Sequence, residues 1–330
     1  MQKSSRILLV VAFCALVFAF LLHIGLGTNG FTTPLDVARE LLRGNRGDTA
    51  ANSIVWTFRL TRATQGVLVG AILGVSGAAL QTLFRNPIAE PYIIGASSGA
   101  AVGAAVVNML GFGFALFGLA MPIAGFVTGL ASLMLVTALA RRRGVVETPT
   151  LLLAGVVVST MLSSVLSFII LFAGRDQGQV LRWLMGGIDG AFWPPTILMA
   201  VVFAISFGIL YRSSARLNAL SLGEEAAQSL GVNPHRMRAL VLVCVTAMVS
   251  ATVGPVGIIG FVGLVAPHMA RKIVGVDLRA SLPLSGMMGA LLLLLADTIA
   301  QRGNQGSGYP VGVITSILGA PVLLLLLKRR

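Results

Sequence analysis

Charged residues are scarce in this chain: Asp, Glu, Lys and Arg make up 11% of its 330 residues, where a soluble domain carries about 25%. So little polar surface cannot coat a core of this size in water, which excludes an ordinary soluble domain. Lysine is rarest, confined to Lys3, Lys272 and Lys328, and no G-x-x-x-x-G-K-[ST] occurs, so the chain has no P-loop nucleotide site. The two cysteines, Cys14 and Cys244, each lie in an apolar run and read as small packing residues, not as a disulfide framework. His23, His235 and His268 stand far apart and neither H-E-x-x-H nor C-x-x-C occurs, which argues against a catalytic metal centre. Carboxylates inside apolar segments are also few, with Asp297 the candidate. Ion-coupled carriers rely on such groups, so energy for any transport is expected to enter from elsewhere.

Apolar residues are abundant, at 56% with mean hydropathy +0.92. Runs such as Ile7 to Leu26, Phe114 to Ala140, and Leu240 to Val253 with its flanks are near or above the roughly 20 residues that cross a bilayer. Strand-type alternation is absent, which favours a helical bundle over an outer-membrane barrel. Apolar length predicts about ten spans, near 7–26, 59–83, 92–108, 114–140, 149–172, 193–211, 234–254, 258–267, 275–300 and 309–327. Gln179 to Leu184 is expected to form a short interfacial helix. Lys3 and Arg6 precede the first run, but the run reaches Leu26 with no clear small-x-small cleavage site, so it is expected to be a retained first helix.

The formal charge of +13 and pI near 11.4 could suggest nucleic acid, but the cations sit in short connectors rather than on a soluble face. With the N-terminus inside and alternating spans, most of them fall on inner connectors. Arg85, Arg141, Arg142, Arg143, Arg212, Arg216, Arg236, Arg238, Arg271, Lys272, Arg279 and the terminal Lys328, Arg329 and Arg330 collect there, while Glu90, Glu147, Glu224, Glu225 and Asp277 are the inner acids. That bias places both termini on the cytoplasmic side. The parity counts "GPVGIIGFVGLVAPHMARK" (254–272) as a span, although 258–267 is too short to cross the hydrocarbon. Such a segment must sit inside the bundle, flanked by loops that enter the bilayer, and interrupted spans of this sort accompany transport pathways. A kinked helix in a tight bundle is the plainer alternative.

One connector departs from the membrane pattern. In "YRSSARLNALSLGEEAAQSLGVNPHRMR" (211–238), Ala219, Leu222, Ala226, Ala227 and Leu230 recur at helical spacing. Gly223 interrupts them, Glu224 and Glu225 suit a new first turn, Gly231 suits a C-cap, and Pro234 starts the next span. Two short helices joined at "LG" would form a compact knob on the inner face. A helix lying on anionic headgroups would favour Lys and Arg, yet 217–233 contains neither and carries two acids. Docking to a soluble cytoplasmic partner is the favoured reading, and a connector on the lipid surface the other.

Several stretches together resemble the FecCD family, the permease subunits of ABC importers for iron chelates, haem and cobalamin. They are "RLTRATQGVLVGAILGVSGAALQTLFRNPIAEPYIIGASSGA" (59–100), "LLLAG" (151–155), "SLGEEAAQSLGV" (221–232), "GPVGIIGFVGLVAPHMAR" (254–271) and "PVGVITSILGAP" (310–321). The likeness is weak in the first span and over 101–150. "NPIAEPYIIG" and "YPVG" stand where the family has "NPLADPYLLG" and "LPVG".

The resemblance implies a single permease domain over 1–330 with the type II ABC importer permease fold. That means an all-α polytopic subunit of about ten transmembrane helices, with a short broken helix and cytoplasmic coupling helices within 214–231. It implies a multi-pass protein of the bacterial inner membrane, working as a homodimer with two cytoplasmic ABC ATPase subunits and an extracytoplasmic substrate-binding protein. The chain would be no enzyme and hold no cofactor, since ATP and Mg would be bound by the partner ATPase. Ser221, Leu222, Gly223, Glu224, Glu225, Ala226, Leu230 and Gly231 would contact that ATPase. Arg59 and Arg62 match basic positions that pair with acids of the binding protein, with Arg302 beside a third at Gln301. Snorkelling to headgroups is the alternative for these arginines. Asn86, Pro87 and Ile88 match the loop that narrows the inner exit, Thr148 begins the helix beside it, and Gly155 and Ser159, with Ser163 and Ser164, line the path or pack against neighbours. A stand-alone secondary transporter or channel is the competing function. The ligand is not readable from the chain.

Overall fold

The computed structural model describes residues 3–26, 33–45, 50–91, 94–112, 115–142, 145–146, 148–173, 177–303 and 308–328. Within them the chain is a bundle of helices: α1 (Lys3–Gly25), α2 (Pro34–Arg43), α3 (Ala50–Ile54), a π turn (Val55–Arg59), α4 (Leu60–Leu83), α5 (Ala96–Met109), α6 (Ala115–Gly118), α7 (Ala120–Leu139), α8 (Thr148–Phe172), α9 (Gln177–Leu184), α10 (Trp193–Arg212), α11 (Ser214–Ser221), α12 (Glu224–Ser229), α13 (Pro234–Val256), α14 (Val262–Val274), α15 (Leu278–Ala300) and α16 (Val311–Lys328). Arg141–Arg142 pairs antiparallel with Val145–Val146 in a minimal hairpin. Of the cations and acids counted above, Arg143, Glu147, Arg329 and Arg330 lie outside the described residues.

Seven of these helices are long and apolar enough to cross a membrane. The shorter α5, α14 and α16 bring the set to the ten expected segments. The centre is α4: 83% of its apolar window is buried, against 17% for α1 and for α8, which lie at the periphery of this subunit. α4 packs on α15, and both pack on α14. Gly70, Gly74 and Gly77 make this seam, since a Cβ there would overlap backbone atoms of Gly289, Ser285 and Gly263 respectively. Small residues at such spacing let helices approach closely in lipid, where no hydrophobic effect drives them together.

The short segment is displaced from its expected place. Gly257 and Phe261 adopt positive φ (68° and 66°), so 257–261 is irregular backbone, and the helix runs over Val262–Val274 instead of 258–267. The last carbonyls of α13, which lead into it, are satisfied by protein. The Gly187 amide donates to the Val256 carbonyl (2.9 Å) and the Trp183 indole to the Gly254 carbonyl (3.0 Å). Irregular backbone at membrane depth is tolerated only when buried in this way. Pro267 does not end the helix either. It has no N–H for the Gly263 carbonyl, and the Gln81 side chain donates to that oxygen at 3.1 Å.

α9 forms where a short helix was expected over Gln179 to Leu184, starting at Gln177. α2 was not expected. It opens on Thr33, whose hydroxyl accepts from the Asp36 amide (3.2 Å), with Pro34 in the first turn. It buries Val37 against Ile24, Val55 and Ala63, the pattern of a capped amphipathic helix.

Candidate functional site

The knob forms as the sequence predicts. α11 ends at Ser221, and Leu222 and Gly223 turn the chain; the φ of Gly223, 128°, is one that side-chain-bearing residues rarely adopt. α12 closes on a Schellman motif, with the Val232 amide on the Ala227 carbonyl and the Gly231 amide on that of Gln228 (both 2.9 Å). Asn233 then caps α13, its side chain accepting from the Arg236 amide. The underside is apolar and buried through Leu217, Leu220 and Ala227, while Leu222 and Leu230 stand 72% and 65% exposed at the tip.

Two polar ties fasten this knob to spanning helices. Arg238 of α13, only 5% exposed, donates to Glu224 at 2.6 Å. Asn218 of α11 donates to Asp277 (2.7 Å) and accepts from the Leu278 amide (3.1 Å), clamping the start of α15. Burial acts to raise the Asp277 carboxyl, but the Arg279 amide and the Asn218 donor outweigh it and hold the group below the usual carboxylate range. Sequence reasoning offered both Glu224 and Glu225 to a partner. The structure ties Glu224 to Arg238 with its side chain 43% exposed, and leaves Glu225 exposed. Asn218 and Arg238 went unnoticed because their partners lie 59 and 14 residues away.

Asn86, Pro87 and Ile88 form a tight turn in which the Asn86 side chain accepts from the Ile88 amide (3.1 Å), with Ile88 46% exposed. Asn86 and Pro87 border one cleft with Ser221, so the structure brings this turn and the knob together. Thr148 is the first residue of α8. Gly155 is buried on that helix and Ser159 half-buried, whereas Thr160, Ser163, Ser164 and Ser167 are exposed. The hydroxyls of Thr160, Ser164 and Ser167 bond back to carbonyls one turn earlier. α8 therefore presents hydroxyls and apolar side chains outward together.

Glu90 is placed differently from expectation. It was counted at the inner surface, but α5 begins only at Ala96, and the intervening chain carries Glu90 into a cavity of about 470 Å³ beside Met185, Ile258, Phe261, Val313 and Ile317. A carboxylate among apolar walls marks a candidate contact for cargo.

At the other end, Arg62 is not an open docking cation. Its guanidinium grips Asp297 bidentately (2.8 and 2.7 Å) and reaches Asp189 at 3.1 Å. Asp297 is fully buried and also meets His23 (2.7 Å) and Gln301 (3.0 Å). Four carboxylate contacts from Arg62, His23 and Gln301 satisfy a charge that could not otherwise be buried. Arg59 ends the π turn and donates to the Ile24 carbonyl (3.1 Å). Arg302 is exposed just past α15. Among the described residues, no cluster of His, Cys, Asp and Glu is suited to hold a metal ion.

Against known proteins, the model of the FecCD transport family matches residues 15–329. The Cobalamin import system permease protein BtuC of Halobacterium salinarum is 40% identical over 280 residues, 85% of this chain and 74% of that protein. The Vitamin B12 import system permease protein BtuC of Citrobacter koseri is 40% identical over 278 residues, 84% of this chain and 83% of that one. A solved structure described as an inward-facing conformation of a metal-chelate type ABC transporter superposes with TM-score 0.87 at 29% identity, covering 98% of this chain and all of the other.

Proposed function

The chain belongs to the FecCD transport family, and we propose from that premise how it moves its cargo. It is the membrane permease of an ABC importer for cobalamin or an iron chelate, a transport subunit and not an enzyme. Two copies, each one permease domain, would enclose an axial path, with two ATPase subunits below and a substrate-binding protein above. ATP and Mg would reside in the ATPase. The cations Arg85, Arg212, Arg216, Arg271 and Lys272 at the knob end favour a cytoplasmic knob in the bacterial inner membrane, with both termini on that side.

The observation that carries the coupling reading is the pair of exposed leucines, Leu222 and Leu230, on a knob whose underside is buried. Exposed apolar side chains on a polar protrusion suit a protein groove better than water. Ser221, Gly223, Glu225, Ala226 and Gly231 frame them. When the ATPases close, force on the knob would pass through Glu224–Arg238 into α13 and through Asn218–Asp277 into α15, and the bundle would rock between outward- and inward-open states. Asn86, Pro87 and Ile88 would narrow the inner exit. α8, from Thr148 through Gly155 and Ser159, would lie beside the path, with its exposed Thr160, Ser163, Ser164 and Ser167 toward the path and the second copy. Arg59 and Arg302 would receive the binding protein, with Arg62 holding the helices beneath them.

The test is co-purification. Leu222→Asp with Leu230→Asp should yield a folded permease that no longer retains its ATPase on affinity purification. Undiminished ATPase retention by that variant would remove the coupling role.

A further inference from the structure

At the knob end a cleft of about 520 Å³ opens between the end of α4, the exit loop, α11 and α14. Its walls carry Arg85, His268, Arg271 and Lys272, with Thr82, Asn86 and Ser221 as neutral polar neighbours, and no Asp or Glu lines it among the described residues. Two acids adjoining its residues in the chain are engaged elsewhere: Asp277 by Asn218 and the Arg279 amide, Glu224 by Arg238. Like charges gathered in one concavity raise the local potential and favour an anion. Arg85 reaches the cleft from a positive φ of 50°, a backbone region that residues with a side chain rarely occupy. Arg271 is steadied by its bond to the Gln81 side chain, so that cation is held in place.

The rim is apolar on one side. Val276, which lines the cleft just past the end of α14, is 80% exposed, and Ile273 in the last turn of α14 is 42% exposed. Arginine and lysine side by side suit phosphate oxygens, Arg by its planar fork and Lys as a point charge. Basic pockets between transmembrane helices take phosphorylated headgroups. We infer that this cleft is a binding site for a phosphate-bearing anion, filled by the headgroup of an anionic phospholipid whose acyl chains lie along Ile273 and Val276. A lipid seated there touches the exit loop through Asn86 and the knob through Ser221, the two parts that must move together.

The test uses the full-length chain in neutral detergent, titrated with phosphatidylglycerol, with phosphatidylcholine of the same chains, and separately with inorganic phosphate. Bound lipid is counted by native mass spectrometry and phosphate by its effect on the thermal midpoint. Phosphatidylglycerol should bind and phosphatidylcholine should not. Arg85→Gln with Lys272→Gln should weaken binding about tenfold or more, and Arg85→Lys with Lys272→Arg should retain most of it. Arg212→Gln with Arg216→Gln, which removes equal charge outside the cleft, should leave binding unchanged. Stabilisation by inorganic phosphate alone, lost in the Arg85/Lys272 variant, would support the anion site and assign it to free phosphate. Equal phosphatidylglycerol binding by wild type and the Arg85/Lys272 variant, or an equal loss in the Arg212/Arg216 control, would overturn it.

Discussion

The Gln81 side-chain amide donates to the Gly263 carbonyl oxygen at 3.1 Å, filling the place that the missing N–H of Pro267 leaves open. One side chain of α4 thereby completes the backbone of α14. An orphaned carbonyl at membrane depth costs several kcal/mol by order of magnitude, so the bond fastens the short helix to the centre of the bundle.

Gln81→Ala should therefore lower stability by about 1–3 kcal/mol. Pro267→Ala restores the helix's own donor, so Gln81→Ala should cost much less in that background. Thermal unfolding of the four purified proteins reads the cycle. Equal costs in both backgrounds would show that Gln81 does not serve this carbonyl.

Arg62 and Asp297 form a bidentate ion pair whose carboxylate is fully inaccessible. Removing one partner leaves an uncompensated charge, so Arg62→Ala should destabilise the chain by about 3–5 kcal/mol. Combining it with Asp297→Asn should recover much of the loss. A thermal midpoint for Arg62→Ala within error of wild type would return Arg62 to the open surface.

Charge reversal at Arg59 and Arg302 should weaken docking of the cognate binding protein by about tenfold at low salt, and the difference should shrink as ionic strength rises. Surface plasmon resonance at two salt concentrations measures it. Unchanged affinity at low salt would leave both arginines as headgroup contacts.

The ten segments were legible because apolar length survives any arrangement of neighbours. The knob was legible too: Gly223, the acidic first turn and Gly231 are local signals with local causes. The short segment was shifted, because Pro267 looked like a terminus and only the packed fold supplies Gln81 to excuse it. Glu90 looked like a surface acid because the sequence does not reveal that α5 starts late. Arg62 is a docking cation only by the family resemblance, and its ties to Asp189 and Asp297 were hidden because those residues are far along the chain. Each miss involves a polar residue whose environment is made by a distant one. α2 is the exception, since the Thr33, Pro34 and Asp36 cap was readable locally.

The most direct measurement is cargo uptake into proteoliposomes holding the permease, its ATPase and ATP, with loaded binding protein outside. Wild type should accumulate cobalamin or the cognate iron chelate only with hydrolysable ATP, and Asn218→Ala with Arg238→Met, which cuts the knob from α15 and α13, should hydrolyse ATP while transporting little. Uptake that continues with a catalytically dead ATPase, or at the wild-type rate in the severed variant, would contradict a stroke delivered through the knob.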